Sequence, residues 1–212
     1  MRIAALAAHR DPGSITLVAV SKGKSAESIT EAATAGVTDF GENYLQEAIP
    51  KIDALSSLDV RWHYIGQIQS NKTKTIAQRF AWVHSLDRIG IARRLSEQRP
   101  FHAPPLQVCL QVALIAEPAK GGVAPEYLPQ LAADVALLPR LQLRGLMCIP
   151  PPQPDAATER AVFARLRALM DQLNANGLEL DTLSMGMSAD FESAIAEGAT
   201  MIRIGTALFG AR

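Results

Sequence analysis

A lysine at the end of an apolar run is the first residue whose position favours chemistry. Lys22 closes the run Leu17-Val-Ala-Val-Ser-Lys, which is typical of a buried β-strand. An amine that loses its hydration at the mouth of a fold is a better nucleophile, and it can form a Schiff base with a carbonyl compound. The ordinary alternative is a solvated loop lysine, which is what we expect of Lys24. Lys22 is therefore a candidate nucleophile whose role depends on what lies opposite it.

Two later segments combine backbone N–H groups with hydroxyls, as anion sites do. The run MGMS at 185–188 opens a predicted helix that ends at Gly198, and Gly205 and Thr206 follow the last predicted strand. Both loops offer N–H donors, and Ser188 and Thr206 add hydroxyls, so they predict a phosphate site. The alternative is that Ser188 only caps its helix and that Gly205 only forms a tight turn.

Arg203 and Asn43 are candidates for recognising the rest of a phosphorylated ligand. Arg203 lies two residues before Gly205 and hence on the same strand face, ~6.6 Å deeper. A phosphate at Gly205 would place an attached pyridine ring near that depth, and arginine is a known partner of a pyridoxal ring nitrogen. Pairing with a strand carboxylate explains a buried arginine equally well. Asn43, at the end of the second strand, is expected either to bind a ligand hydroxyl or to cap the next helix.

Five other polar residues are given lesser roles. The phosphate interpretation requires Asp190 and Glu192 to point away from the anion. His63 and His84 lie in predicted strands, where a single histidine is more often a satisfied core residue than a catalyst. Lys120 precedes two glycines and is expected to be a loop lysine able to close over a ligand.

The elements that must position these residues alternate between strands and helices. The helix predicted from 155 to 176 carries an apolar stripe at Val162, Leu166, Leu169 and Leu173 and ends at Gly177. Ser25 is expected to cap an earlier helix that runs toward Gly36. Between such helices the sequence predicts strands at 17–21, 38–41, 62–66, 81–85, 106–112, 143–149, 182–187 and 201–205.

Eight apolar strands separated by helices predict a (β/α)8 TIM barrel, an α/β fold with a parallel sheet. The 212 residues leave 26.5 for each of eight units, which suffices for a strand, a helix and short loops. We therefore expect a minimal single domain over residues 1–212. The segment 1–9 is expected to supply the helix that closes the barrel. Active groups of such barrels lie at the carboxyl ends of the strands, where the candidate residues are.

The amino-acid composition disfavours nucleic acid and membranes as partners. Lysine plus arginine and aspartate plus glutamate number 21 each, so no net charge attracts nucleic acid or an anionic membrane. No apolar run reaches the roughly 20 residues of a membrane span. Cys109 and Cys148 lie in apolar strands and are expected to be reduced core thiols. We expect a cytoplasmic monomer.

Five segments resemble one known family. LVAVSKGKSAESI, DFGENYLQE, WHYIGQIQSNK, LSMGMSADFESAI and MIRIGTALFGAR are similar to the pyridoxal phosphate homeostasis proteins, whose fold is that of the N-terminal barrel of alanine racemase. The resemblance implies that Lys22 carries pyridoxal 5′-phosphate (PLP) as an internal aldimine and that Arg203 faces the pyridine nitrogen. It also implies that Ser188, Gly205 and Thr206 hold the phosphate.

The resemblance implies a cofactor-handling role in vitamin B6 balance without an established reaction. We expect a carrier that binds PLP reversibly through Lys22 and releases it to other proteins, such as PLP-dependent enzymes that lack their cofactor. A weak PLP-dependent racemase or transaminase is the enzyme alternative, and α-proton exchange would favour it. A third hypothesis, a Schiff-base aldolase using Lys22 without a cofactor, requires a protein that does not respond to PLP.

Overall fold

The computed structural model of the protein describes residues 1–115 and 121–210 and contains a closed barrel of eight parallel strands. Each strand pairs with the next along the chain, and the last pairs with the first. The strands are β1 (Thr16–Val20), β2 (Asp39–Glu42), β3 (Arg61–Tyr64), β4 (Trp82–Leu86), β5 (Leu106–Gln111), β6 (Leu141–Met147), β7 (Thr182–Ser184) and β8 (Met201–Ile204). The predicted fold class is confirmed.

Helices connect the strands and cover the outside of the barrel. They are α1 (Arg2–Ala7), α2 (Ala26–Thr34), α3 (Leu45–Ala54), α4 (Thr73–Arg79), α5 (Ile89–Gln98), α6 (Leu128–Ala136), α7 (Ala156–Ala175), α8 (Phe191–Ala196) and α9 (Thr206–Phe209). Lys120 lies outside the described residues, so its expected closure over a ligand stays a prediction. Across the described ranges, no helix is long and apolar enough to cross a bilayer.

The strand boundaries differ from the predicted ones by at most three residues. The largest difference is at β7, which ends at Ser184 and not at 187. Gly186 adopts a φ of +93°, a left-handed conformation that glycine tolerates and that turns the chain out of the sheet. An ideal Cβ at this glycine would lie 2.6 Å from the Cβ of Ala194. The turn therefore brings the β7–α8 loop close to α8.

Helix α7 illustrates how the predicted signals work. Asp155 caps it by accepting a hydrogen bond from the N–H of Thr158 at 2.7 Å, and Gly177 follows its end with a φ of +96°. Its buried residues are Phe163, Leu166 and Leu173, each worth about 1.5–3 kcal/mol when fully buried. Val162 and Leu169 of the predicted stripe are half-buried and pack against the same core, which also includes the unpredicted Phe163.

The predicted cap of α2 and the predicted closing helix are both observed. The Ser25 hydroxyl accepts a hydrogen bond from the N–H of Ser28 at 3.3 Å. Helix α1 packs against α8. Arg10, just after α1, donates from Nη1 to the carbonyl oxygens of Ile195 at 3.0 Å and Ala199 at 2.6 Å. The N-terminal segment therefore covers the outside of the barrel next to the β7 and β8 units.

The barrel interior has its own small apolar cluster, separate from the larger core between strands and helices. Its buried members are Val18, Trp82, Cys109, Met147 and Met201. Cys109 and Cys148 are both buried free thiols, as predicted. The interior also holds polar side chains, and these lead to the candidate site.

Strands β6 and β7 pack too closely at Gly145 to leave room for a side chain. An ideal Cβ at Gly145 on β6 would lie 1.8 Å from the carbonyl oxygen of Thr182 on β7. We expect Gly145→Ala to lower the free energy of unfolding by about 2–3 kcal/mol, since backbone atoms of two paired strands would have to separate. Urea unfolding followed by circular dichroism measures this change.

Gly90→Ala is the matched control. A Cβ at Gly90, in α5, has no neighbouring atom within 4 Å, and alanine stabilises a helix over glycine by about 0.5–1 kcal/mol. Equal unfolding midpoints for the two variants would contradict the packing described here.

Candidate functional site

The candidate residues gather where the barrel closes. Val18 on β1 lies opposite Arg203 on β8 in the strand register. An ideal Cβ at Gly205 would lie 3.4 Å from the Cβ of Val20, the last residue of β1. Lys22 follows Val20 by two residues. Lys22, Gly205 and Arg203 therefore lie along the same β1–β8 junction, at its carboxyl end.

Lys22 itself is exposed. We expected the barrel mouth to bury this amine, and that expectation is wrong. The reason is its position, because β1 ends at Val20 and Lys22 stands in the turn beyond the rim. The side chain is thus accessible to small molecules from solvent.

The backbone beneath Lys22 is fixed by a buried ionic group that sequence reasoning missed. The Ser21 hydroxyl donates to Oε1 of Glu42 at 2.7 Å, and Glu42 is fully buried. Lys51 Nζ donates to the same oxygen and to the carbonyl oxygen of Ser21, both at 2.8 Å. These bonds tie the end of β1 to β2 and α3, and so they hold the base of the Lys22 turn in place.

Asn43 follows β2 and is the next residue at the rim. Its Oδ1 is buried and has no hydrogen-bond partner in the part of the chain that the structure describes. Helix α3 begins after Tyr44, and no side chain caps it. The capping role we considered for Asn43 is therefore not observed. A buried, unpaired amide oxygen favours the alternative of a ligand hydroxyl, because such an acceptor is costly to leave unsatisfied.

Arg203 is buried inside the barrel on β8, with 4% of its surface exposed. Its Nη1 donates to Ser184 Oγ at 2.7 Å and its Nη2 to the carbonyl oxygen of Cys148 at 2.8 Å. Among the described residues no carboxylate forms an ion pair with it. The strand carboxylate considered as its partner is therefore not observed.

The thiols near Arg203 do not neutralise it. Burial raises the pKa of both Cys109 and Cys148 to about 12, so both are uncharged at neutral pH. Burial also lowers the pKa of Arg203, although a guanidinium keeps its proton in proteins. The interior of the barrel thus holds a positive charge beneath the candidate phosphate loops.

The two loops predicted to bind phosphate are in contact. Ser188 Oγ accepts a hydrogen bond from the N–H of Ala207 at 3.4 Å, which links the β7–α8 loop to α9. Gly205 is the N-cap residue of α9, and Thr206 is its first residue. The N–H groups of Ser188 and Thr206 make no hydrogen bond within the described ranges. The loops therefore place two hydroxyls and free N–H donors close together.

The alternative role of Ser188 as the cap of α8 is not observed, because α8 begins later, at Phe191, and Asp190 occupies the N-cap position. Asp190 does not point outward either. Its Oδ1 accepts the N–H of Met187 within the same turn, and burial raises the pKa of its carboxyl. Glu192 is exposed, as the phosphate interpretation requires.

The interior histidines belong to the same region, although we had set them apart as core residues. His63 and His84 are fully buried, and His84 Nδ1 lies 2.7 Å from Ser184 Oγ, the hydroxyl that accepts from Arg203. Strand parity is the signal that could have found them, since Asp39 and His63 share the inward-facing register of their strands with Val18 and Arg203. A polar residue on the inward face of an otherwise apolar strand therefore indicates a candidate site residue.

Known proteins with similar sequences indicate the family of this chain. The family model for the alanine racemase N-terminal domain matches residues 2–212. A curated relative named pyridoxal phosphate homeostasis protein, from Pseudomonas aeruginosa, is 60% identical over 212 residues, which are 100% of this chain and 91% of that protein. The protein of the same name from Escherichia coli K12 is 48% identical and covers 99% of this chain and 91% of its own length.

Two solved structures have folds similar to that of this chain. PipY from Synechococcus elongatus, solved with PLP bound, has a TM-score of 0.89 and 42% identity, covering 99% of this chain and 98% of PipY. Alanine racemase from Corynebacterium glutamicum has a TM-score of 0.74 at 17% identity, covering 100% of this chain and 59% of the racemase. The latter shows likeness of fold alone. The chain belongs to the family of pyridoxal phosphate homeostasis proteins, which share the fold of the alanine racemase N-terminal domain.

Proposed function

We propose that this protein binds PLP reversibly through a Schiff base on Lys22 and takes part in PLP homeostasis. The observation that carries the proposal is the buried Arg203 guanidinium, which lies below Gly205 and Lys22 and has no carboxylate partner among the described residues. The names of the relatives and the PLP bound to PipY support the same ligand.

The unsatisfied groups of the site match the groups of PLP. Arg203 uses two of its five N–H donors within the described residues, which leaves donors for a pyridine nitrogen. Asn43 Oδ1 has no partner and is assigned to a ring hydroxyl. Ser188, Gly205 and Thr206 supply the hydroxyls and N–H groups for the phosphate, as anion sites in barrels of this class do.

PLP supplies an aldehyde, which condenses with a primary amine to form a C=N bond with loss of water, and water reverses the step. Lys22 supplies that amine. Because its side chain is exposed, Lys22 would hold the cofactor at a position that water and other amines can reach. The Ser21–Glu42–Lys51 contacts hold the backbone of the turn while this happens. This combination of a fixed backbone and an accessible amine supports the proposal of reversible storage.

The same residues argue against efficient catalysis. An arginine donates to the pyridine nitrogen and leaves it unprotonated, so the ring withdraws electrons less well than one that faces a carboxylate. A racemase also needs a second acid or base on the opposite face of its substrate. Tyr44 and Tyr127 are exposed, and the Tyr64 hydroxyl donates to the carbonyl oxygen of Gln67 at 3.2 Å. We infer a non-catalytic, cytoplasmic, monomeric carrier whose recipients are PLP-dependent enzymes lacking their cofactor.

Lys22 should be the residue to which PLP becomes attached. Addition of PLP to the purified protein should produce a visible absorption band, and borohydride should fix the cofactor on the peptide that contains Lys22. Lys22→Ala should abolish the fixed adduct, because Lys22 is the exposed amine in the turn after β1, whereas the nearby amines of Lys24 and Lys51 donate to backbone carbonyl oxygens. Absorption spectra and peptide mapping by mass spectrometry measure both outcomes.

Lys74→Ala is the control, since Lys74 is an exposed lysine on α4. It should bind and react as the unaltered protein does. An adduct that persists in Lys22→Ala, or that maps elsewhere in the unaltered protein, would refute the assignment of Lys22.

The rate of α-proton exchange separates a carrier from a weak racemase or transaminase. We expect the PLP-loaded protein to exchange the α-proton of amino acids in deuterated water no faster than free PLP at the same concentration. Proton NMR of each amino acid gives the rate. Exchange well above the free-PLP rate that is lost in Lys22→Ala would favour the enzyme.

A further inference from the structure

A continuous series of hydrogen bonds crosses the barrel interior beneath the site. We call it the interior network, and its members are Asp39 (β2), His63 (β3), His84 (β4), Ser184 (β7) and Arg203 (β8). The successive distances are 2.9 Å from Asp39 Oδ1 to His63 Nε2, 2.9 Å from His63 Nδ1 to His84 Nε2, 2.7 Å from His84 Nδ1 to Ser184 Oγ and 2.7 Å from Ser184 Oγ to Arg203 Nη1. All five residues are buried. The series links β4 directly to β7, across the barrel.

The two ends of the interior network have fixed roles. Asp39 accepts from Nε and Nη2 of Arg61, both at 2.8 Å, and from the Thr38 hydroxyl at 2.7 Å. Burial opposes its ionisation, but the hydrogen bonds from His63, Arg61 and Thr38 outweigh burial and lower the pKa of Asp39. Asp39 is therefore an ionised acceptor. At the other end, Arg203 can only donate.

The two histidines between these ends are neutral. Burial lowers the pKa of His63 more than Asp39 raises it. Burial is the largest cause that lowers the pKa of His84 well below its usual value, and the positive charge of Arg203 acts in the same direction. A neutral imidazole has one donor nitrogen and one acceptor nitrogen. His63 also stacks on the Trp82 ring at 5.6 Å, which helps to fix its plane.

These conditions leave one direction for the hydrogen bonds. His63 Nε2 donates to Asp39, so His63 Nδ1 accepts, and the donor it faces is His84 Nε2. His84 Nδ1 then accepts the Ser184 hydroxyl proton, which turns an oxygen lone pair of Ser184 toward Arg203. If His84 alone changed tautomer, two nitrogen lone pairs would face each other at 2.9 Å. The members therefore change together or not at all.

We propose that His84 is a positioning residue for the cofactor: as a neutral Nε2–H tautomer it orients the Ser184 hydroxyl, which in turn fixes the Arg203 guanidinium. The proposal rests on the proposed function, in which Arg203 donates to the pyridine nitrogen of PLP. Cys148 supplies the second acceptor, its carbonyl oxygen, 2.8 Å from Nη2. Two fixed acceptors define the plane of the guanidinium, so its remaining donors keep one orientation before PLP arrives. Such preorganisation increases affinity because less freedom is lost on binding.

The tautomers can be measured without the cofactor. In long-range ¹H–¹⁵N NMR spectra of the full chain labelled on its four histidines, His63 and His84 should both be neutral and protonated on Nε2 at pH 7. Variants that replace one histidine at a time assign the signals. A His84 that is doubly protonated, or protonated on Nδ1, would overturn the proposal. PLP binding by the unaltered protein is measured in a separate experiment. A failure of the proposed function can therefore be told apart from a failure of the His84 proposal.

Two replacements of His84 separate positioning from stability. Asparagine places its amide oxygen near the position of Nδ1, so His84→Asn keeps an acceptor for Ser184. Glutamine places its amide nitrogen near Nε2, so His84→Gln keeps the donor to His63 and loses the acceptor. Both variants keep one of the two bonds, and a purely structural role predicts similar effects of the two. Positioning predicts that only His84→Gln affects the cofactor.

The readouts are the dissociation constant of PLP, the absorption maximum of the bound cofactor and the thermal unfolding midpoint. We expect His84→Gln and Ser184→Ala to weaken PLP binding about tenfold and to shift the absorption maximum, whereas His84→Asn should stay within about threefold of the unaltered protein. Ser96→Ala is the matched control, because Ser96 is a buried serine on α5 whose hydroxyl donates to the carbonyl oxygen of Pro139, outside the barrel. It should lower the unfolding midpoint without changing the affinity or the spectrum.

A loss of stability without a change in PLP binding would contradict the proposal. If His84→Gln and Ser184→Ala lose stability as Ser96→Ala does, but bind PLP with unchanged affinity and spectrum, the interior network only satisfies buried polar groups. Should a variant fail to fold, the tautomer measurement on the unaltered chain decides.

Discussion

A guanidinium placed inside a barrel must be compensated, because removing a charge from water costs several kcal/mol even after the protein relaxes. In this protein the charge is Arg203, and the described residues offer it a serine hydroxyl and a backbone carbonyl but no carboxylate. The charge of Asp190 acts on it through space, and Asp39 is linked to it by hydrogen bonds through Ser184, His84 and His63. The charge is thus stabilised by a series of dipoles and left available to an acceptor from outside.

The pairing of β8 with β1, which closes the barrel, brings the other candidate residues near Arg203. Because β8 pairs with β1 in the register that sets Val18 opposite Arg203, the loops that follow both strands emerge together. The turn that carries Lys22 and the hydrogen-bond donors around Gly205 therefore lie at the same end of the junction, where we propose that they bind one ligand. The loop that carries Ser188 contacts α9 through Ala207, so β7 contributes to the same place.

Much of the fold could be predicted from the sequence because its signals are local. Apolar runs of strand length, helical stripes and glycines after helices specified eight strands and their order, and strand parity placed Arg203 in the interior. The cap of α8 was misplaced because Ser188 and Asp190 both satisfy the same local N-cap pattern. Lys22 was expected to be buried because a strand pattern does not show where the rim lies. Local signals thus fail where the outcome depends on the end of an element.

The remaining site residues could not be predicted because their partners are distant in sequence. His84 and Ser184 are 100 residues apart and meet only because the barrel closes. The contacts of Glu42 with Ser21 and Lys51 likewise depend on how β1, β2 and α3 pack. A histidine in a strand is usually a satisfied core residue, and this expectation was incomplete. His63 and His84 are satisfied, but the bonds that satisfy them lead to Arg203.

The most direct test of this account is the protonation state of the pyridine nitrogen in the protein loaded with ¹⁵N-labelled PLP. The ¹⁵N NMR chemical shift of that nitrogen distinguishes a free base that accepts a hydrogen bond from a pyridinium. A buried Arg203 that donates to the ring predicts the unprotonated form at neutral pH. A pyridinium shift would contradict the account, since it would require an acceptor or an acid in the place that we assign to Arg203.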